Sequence, residues 1–224
     1  MKELVALEIA KRVQDGEILG IGTGSTVDLA LDRIGRRIAE EGLRLFGVPS
    51  SLETAWHCQR AGIQVLYSGY QGELAWGFDG ADAVNDKLWV IKGGGGAMLQ
   101  EKILAARCRK LVIIVDESKV KDSLDGLTIP VEVIPEAASI AEAGFSRLGA
   151  SVVKLRAAGT GKHGPVITEK GNLVYDVQFS KVDAELEDRI KGLVGVVESG
   201  LFTRYVSEVL IAGHAGLRTL KKAS

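Results

Sequence analysis

The sequence predicts an α/β fold: a mostly parallel sheet domain carrying a smaller, inserted α+β unit. Three observations predict it. Short apolar runs at 18–21, 43–48, 64–67, 74–78, 88–91 and 111–115 alternate with helix-period stretches, the pattern of a parallel sheet covered on both faces. Polar or glycine-rich turns follow several of these runs, at 20–26, 79–82, 92–95 and 116–119. In open parallel sheets the ligand crevice lies outside the carboxyl ends of the strands, so these turns are expected to converge there. After Pro130 the order becomes β-α-β-β-α-β, the ferredoxin-like order. The expected division is 1–129 with 206–224 for the larger domain and 130–205 for the smaller.

Each element has its own signal. Leu4, Leu7 and Val13 place a first helix that ends near Asp15-Gly16. A strand over Ile18–Ile21 runs into G-I-G-T-G-S-T, Gly20 to Thr26, after which Val27, Ala30, Leu31, Ile34 and Ile38 recur at helical spacing. Strand, glycine turn and helix together present unpaired amides and a positive dipole end to an anion. Thr23, Ser25 and Thr26 add hydroxyl donors around Gly24, and the turn reads as a phosphate cradle. No lysine follows in the P-loop manner, and Ser25 stands where a dinucleotide fingerprint needs its third glycine. The next run ends in Pro49-Ser50-Ser51 rather than an acid, so a monophosphate fits better than a nucleotide. The plainer reading is a tight turn capped by Ser25 or Thr26.

Pro49-Ser50-Ser51 opens a helix through Ala61. The run 74–78 meets Asp79-Gly80-Ala81-Asp82. Two aspartates on one turn can orient sugar hydroxyls or relay protons, and aspartate is equally a common turn former. Leu88–Ile91 leads into K-G-G-G-G-A-M-L-Q-E, Lys92 to Glu101. Glycine lets backbone amides approach a ligand closely, and Gly93, Gly94 and Gly95 separate a cation from a carboxylate. One reading is a polar substrate whose proton Glu101 moves and whose negative charge Lys92 meets. The other is a flexible loop with Glu101 favouring a helix N-terminus. The helix from Ala97 is expected to bury Leu99, Ile103 and Ala106, with Glu101 off that face and looking into the crevice. Leu111–Val115 is a fully apolar strand, and Lys119 after it is a second candidate cation.

In the smaller unit, strands are expected at Val131–Ile134, Val152–Arg156, Val166–Thr168, Leu173–Phe179 and Val196–Phe202, with helices at Ala137–Leu148 and Leu186–Leu193. Val206–Ala212 is an apolar strand that returns to the first sheet.

Composition narrows the function. With 46% hydrophobic and 25% charged residues and a net charge of −1, the chain reads as an ordinary globular protein without the basic excess of a nucleic-acid or membrane-surface binder. No apolar stretch nears the ~20 residues of a membrane helix. The amphipathic, acid-bearing N-terminus is not a secretory signal, and Lys221-Lys222 reads as a solvated tail. Cys58 and Cys108 make neither a metal spacing nor a disulfide framework, which points to a reducing cytoplasm. His57, His163 and His214 form no ligand motif.

Taken as a set, G-I-G-T-G-S-T at 20–26, D-G-A-D at 79–82, K-G-G-G at 92–95 with Glu101-Lys102, V-D-E-S-K at 115–119, V-E-V-I-P at 131–135, G-N at 171–172 with Asp176, and G-V-V-E-S-G-L-F at 195–202 resemble ribose-5-phosphate isomerase of the A type. The resemblance implies a Rossmann-like larger domain, a ferredoxin-like smaller one, and dimers or tetramers. It implies cofactor-free and metal-free interconversion of D-ribose 5-phosphate and D-ribulose 5-phosphate, an aldose–ketose isomerisation of the pentose phosphate pathway. By the same resemblance, Thr23, Gly24, Ser25 and Thr26 contact the phosphate. Asp79, Gly80, Ala81 and Asp82 bind substrate, Lys92 with Gly93–Gly95 sits by the reacting carbons, Glu101 transfers the proton, and Lys119 is a further contact. The chain departs at Ala83, where the family usually has glutamate beside the sugar site, and at T-E-K-G-N, 168–172, in place of T-D-N-G-N. The second change is expected to affect packing only. Two other readings are a related sugar-phosphate enzyme, such as an amino-sugar phosphate deaminase, and a non-catalytic sugar-phosphate sensor. The first usually wants a histidine, and no polar turn holds one; the second is opposed by the presence of both Lys92 and Glu101.

Overall fold

The computed structural model describes residues 1–67, 70 and 72–221; Lys222 of the expected tail lies outside them. Strands β1 (Ile18–Ile21), β2 (Phe46–Pro49), β3 (Gln64–Val65), β4 (Trp76–Asp79), β5 (Ala83–Val84), β6 (Val90–Ile91) and β7 (Leu111–Asp116) are followed by β8 (Thr128–Val133), β9 (Ala150–Leu155), β10 (Leu173–Phe179), β11 (Val196–Ser199), β12 (Leu201–Phe202), β13 (Val206–Gly213) and β14 (Gly216–Lys221). The helices are α1 (Lys2–Arg12), α2 (Ser25–Glu41), α3 (Leu52–Arg60), α4 (Met98–Arg107), α5 (Ala138–Arg147) and α6 (Leu186–Lys191). Among the described residues, no helix is long and apolar enough to cross a membrane.

The main sheet runs β14-β13-β7-β4-β1-β2-β3, parallel throughout except for the antiparallel β13–β14 hairpin. Its strand order reverses between β1 and β4, and a crevice opens at such a switch point. The β7 strand shows why the run at 111–115 carries no alternation. Val112 and Ile114 pack with α1 and α2 residues on one face, whereas Leu111, Ile113 and Val115 pack on the other with Val84, Val90, Ala105 and Phe202. The second sheet, β11-β8-β10-β9, is antiparallel throughout, with α5 and α6 supplying Ala141, Phe145, Leu186 and Ile190 to its core. The predicted strand at 166–168 is reduced to a single Ile167–Leu173 bridge.

A third sheet, β12-β6-β5, was not legible in the sequence. The run predicted as one strand over 196–202 splits at Gly200 between the second and third sheets. The Gly200 N–H donates to the Pro130 carbonyl at 2.7 Å and its own carbonyl accepts from the Lys92 N–H at 2.8 Å. A Cβ there would stand 2.1 Å from the Lys92 carbonyl oxygen, so only glycine lets the chain cross at this point. Ala83 lies in β5, buried in the apolar cluster with Ile91 and Leu124.

Two helices bury a different face from the one the hydrophobic spacing predicts. In α1 the buried residues are Val5, Ala6, Ile9 and Ala10, while Leu4 and Leu7 are exposed. In α4 they are Met98, Glu101, Lys102, Leu104 and Ala105, and Ile103 is 44% exposed. A stripe containing a glutamate and a lysine is invisible to an apolar pattern. It is tolerated because each charge has a buried partner.

Candidate active site

Three of the polar turns follow main-sheet strands β1, β4 and β7. The fourth, Lys92–Gly95, follows β6 of the third sheet, so the expectation that all four leave the main sheet is corrected. They nevertheless meet. One cleft of about 170 Å³ is lined by Thr23–Thr26, Gly80–Asp82, Lys92–Gly95, Ala97, Glu101, Lys119 and Lys2. A larger cavity of about 380 Å³, between β2, α3 and α4, contains neither Lys92 nor Glu101.

At the cleft floor three charges share one small volume. The Lys92 Nζ lies 2.9 Å from Asp79 Oδ1 and 3.1 Å from Glu101 Oε1, and it also donates to the Gly80 carbonyl. The three side chains are 2%, 1% and 5% exposed. Asp79 sits behind the ammonium, outside the cleft lining, where its Oδ1 also accepts the Thr23 and Gly80 N–H groups at 3.0 and 2.7 Å. Asp82 is on the open side, its Oδ2 accepting from the Gly94 N–H at 2.9 Å. The Glu101 Oε2 is buried with no hydrogen-bond partner.

Burial dominates the protonation of this cluster. It pushes the Glu101 carboxyl up to about 7; the Lys92 ammonium opposes the shift, and the charges of Asp79 and Asp82 add to it. Burial likewise pushes Asp79 up, against Lys92 and the two amide donors. For Lys92 burial disfavours the charge, but Asp79 and Glu101 outweigh it and hold the ammonium above its ordinary value. A carboxylate that titrates near neutrality, with one oxygen free, is suited to accept and return a proton.

The raised value has a consequence for stability. Folding favours protonated Glu101, so its contribution is present below the unfolded pKa and is lost as pH rises through about 7. Replacement by glutamine is expected to raise the unfolding free energy at pH 8 by up to about 3 kcal/mol, and to leave it nearly unchanged at pH 4. Denaturant titrations at the two pH values check this.

At the other end of the cleft, α2 begins directly after Gly24, with no side-chain cap. Its first amides are unpaired, as at any helix start, an arrangement suited to an anion. Lys2, from the first turn of α1, donates to Ser25 Oγ at 2.8 Å, and Lys119 lines the same cleft. Thr23 differs from the expectation for a phosphate donor. Its Oγ1 is engaged with Ser50, Ser51 and Thr54 at 2.8–3.1 Å, tying the β1 turn to the start of α3.

Some site residues left no local trace in the sequence. Lys2 is an ordinary charge on an amphipathic helix until the fold lays it beside Ser25. Arg156, past the end of β9, donates to the Gly93 and Gly94 carbonyls. Glu169, in the T-E-K-G-N turn expected to affect only packing, accepts the Leu52 N–H at 2.9 Å. Among the described residues, no group of three or more His, Cys, Asp or Glu side chains is placed to hold a metal ion.

The chain is similar over most of its length to known proteins. The family model for ribose 5-phosphate isomerase A (phosphoriboisomerase A) matches residues 46–216. A ribose-5-phosphate isomerase A from Archaeoglobus fulgidus is 44% identical over 214 residues, covering 93% of this chain and 92% of that protein. One from Methanocaldococcus jannaschii is 43% identical over 227 residues, covering 99% and 98%. The solved M. jannaschii structure superposes with a TM-score of 0.93 at 42% identity, covering 99% and 98% of the two chains. A D-ribose-5-phosphate isomerase in complex with phospho-erythronic acid superposes with a TM-score of 0.94 at 31% identity, covering 99% and 97%.

Proposed function

The chain belongs to the ribose 5-phosphate isomerase A family, and on that premise we infer that it interconverts D-ribose 5-phosphate and D-ribulose 5-phosphate. The observation that carries this to the residues is the facing pair at the cleft floor, Lys92 Nζ 3.1 Å from Glu101 Oε1, with Glu101 Oε2 unpartnered. In the open-chain aldose, Glu101 takes the proton from C2. A cis-enediolate forms, and the same carboxyl delivers the proton to C1. Lys92 stabilises the enediolate oxygen, a preorganised charge of the kind worth ~3–4 kcal/mol. Asp82 serves ring opening and the hydroxyl protons from the open side, and Asp79 holds Lys92 charged and in place.

The phosphate is assigned to the α2 N-terminus, with Ser25, Thr26, Lys2 and Lys119. What supports this is that the uncapped α2 start, Lys2 and Lys119 line the same cleft as the acid–ammonium pair, so anchoring energy there can position C1 and C2. Exchanging Lys2 for methionine is expected to raise KM about tenfold and to change kcat less than threefold. A fall in kcat with KM unchanged would remove Lys2 from the anchor. Residues 130–205 are proposed as the smaller domain on the larger one formed by 1–129 and 206–224. A homodimer or homotetramer in a reducing cytoplasm is the proposed assembly and compartment, for which light scattering supplies the mass.

The deciding assay adds ribose 5-phosphate to metal-free protein and follows ketopentose formation. Absence of ketopentose would overturn the reading, whereas release of ammonia from an amino-sugar phosphate would favour the deaminase instead.

A further inference from the structure

We propose that Arg156, held by Asp176, is a positioning residue for the glycine turn beside Lys92, so that the second sheet sets the geometry of the reacting end of the cleft. The inference rests on the isomerase reading above. The Arg156 guanidinium divides its donors. Its Nε lies 3.0 Å from Asp176 Oδ2 and its Nη2 2.5 Å from Oδ1, on the neighbouring strand β10. Its Nη1 lies 3.0 Å from the Gly93 carbonyl oxygen and 2.9 Å from that of Gly94. The side chain is 17% exposed. A planar, five-donor fork spans the carboxylate on one side and the two carbonyls on the other with one rigid group, a geometry that a compact lysine ammonium does not reproduce.

The consequence follows from peptide planarity. In a trans peptide the C=O and N–H point in opposite directions, and no peptide among the described residues is cis. With the Gly93 carbonyl turned to Arg156, the Gly94 N–H points away from it, and it meets Asp82 Oδ2 at 2.9 Å. With the Gly94 carbonyl turned to Arg156, the Gly95 N–H is likewise directed away, and Gly95 lines the cleft. Gly94 and Gly95 are exposed and have no side chains to anchor them. Left to itself such a segment samples many conformers. Arg156 on one side and Asp82 on the other select one of them, with a backbone donor and the Lys92 ammonium on the same pocket.

The test uses the full chain, ribose 5-phosphate for turnover, and two probes. Inorganic phosphate reports the anchor end alone; phospho-erythronic acid carries a carboxylate where the enediolate oxygens would lie. Arg156→Met is expected to lower kcat by about 30-fold or more and to weaken phospho-erythronic acid about tenfold, with inorganic phosphate binding changed less than about twofold. Arg156→Lys is expected to recover only a small part of the loss. Asp176→Asn is expected to shift the same readouts in the same direction, and the double variant to be no worse than Arg156→Met. A kcat for Arg156→Met within about threefold of the parent overturns the proposal. Equal weakening of both probes also overturns it, since that marks general loosening of the fold. If Arg156→Met does not fold, Asp176→Asn decides by the same criteria. An active parent with an indifferent variant sinks this inference alone; an inactive parent sinks the isomerase reading and this inference with it.

Discussion

Replacing Glu101 by glutamine is expected to lower kcat for ribose 5-phosphate isomerisation by about 10³-fold or more, with phosphate-ester binding nearly unchanged. Glutamine keeps the volume and one acceptor for Lys92 but cannot take up a proton, so the variant isolates proton transfer, whose contribution is typically 10²–10⁴-fold. The anchor at the α2 N-terminus shares no residue with the substituted position. The pH dependence follows with its sign. The working form is the ionised carboxylate, so kcat/KM of the unsubstituted protein rises with pH through an apparent value near 7 and is lost below it. Measured profiles check both statements. An acidic limb near 4, or a glutamine variant retaining most of its activity, would mean that another group is the base.

Lys92→Met carries the second large effect. A drop of about 10²–10³ in kcat is expected, with KM changed only a few-fold, because the ammonium stabilises charge that develops in the enediolate rather than in the bound aldose. Two further shifts mark the same loss. Lys92 is the charge that holds Glu101 down against its burial, so the acidic limb of kcat/KM should move to higher pH. Removing one member also leaves Asp79 and Glu101 buried without their cation, which costs about 3–5 kcal/mol where both are ionised and less at low pH, where protonation relieves them. A variant with raised KM and unaltered kcat would reduce Lys92 to a binding group.

The strength of the sequence reading differed from place to place. The β1–turn–α2 cradle was legible because its signal is local: an apolar run, closely spaced glycines, hydroxyls and a helical period within about twenty residues. The Lys92–Glu101 stretch was legible as chemistry but not as geometry. Its strand belongs to a three-stranded antiparallel sheet of two-residue strands, and one partner, β12, lies more than a hundred residues later, beyond the reach of periodicity. The face of α4 was misread for a related reason. Glu101 and Lys102 both point inward, and what permits them to do so lies elsewhere in the chain: Lys92 for one, and Glu187 and Glu198 for the other at 2.6 and 3.0 Å.

By itself, then, the order of residues carried the α/β layering, the ferredoxin-like second unit and the candidates for the acid, the ammonium and the phosphate turn, since these rest on side-chain period and on short runs of glycine and charge. Only the tertiary structure decided that Asp79 stands behind Lys92 while Asp82 stands in front, that Lys2 joins the anion end, and that Arg156 holds the glycine turn. Each of those placements pairs groups far apart along the chain. A buried charge is stable only where such a partner arrives, and no local pattern records that arrival.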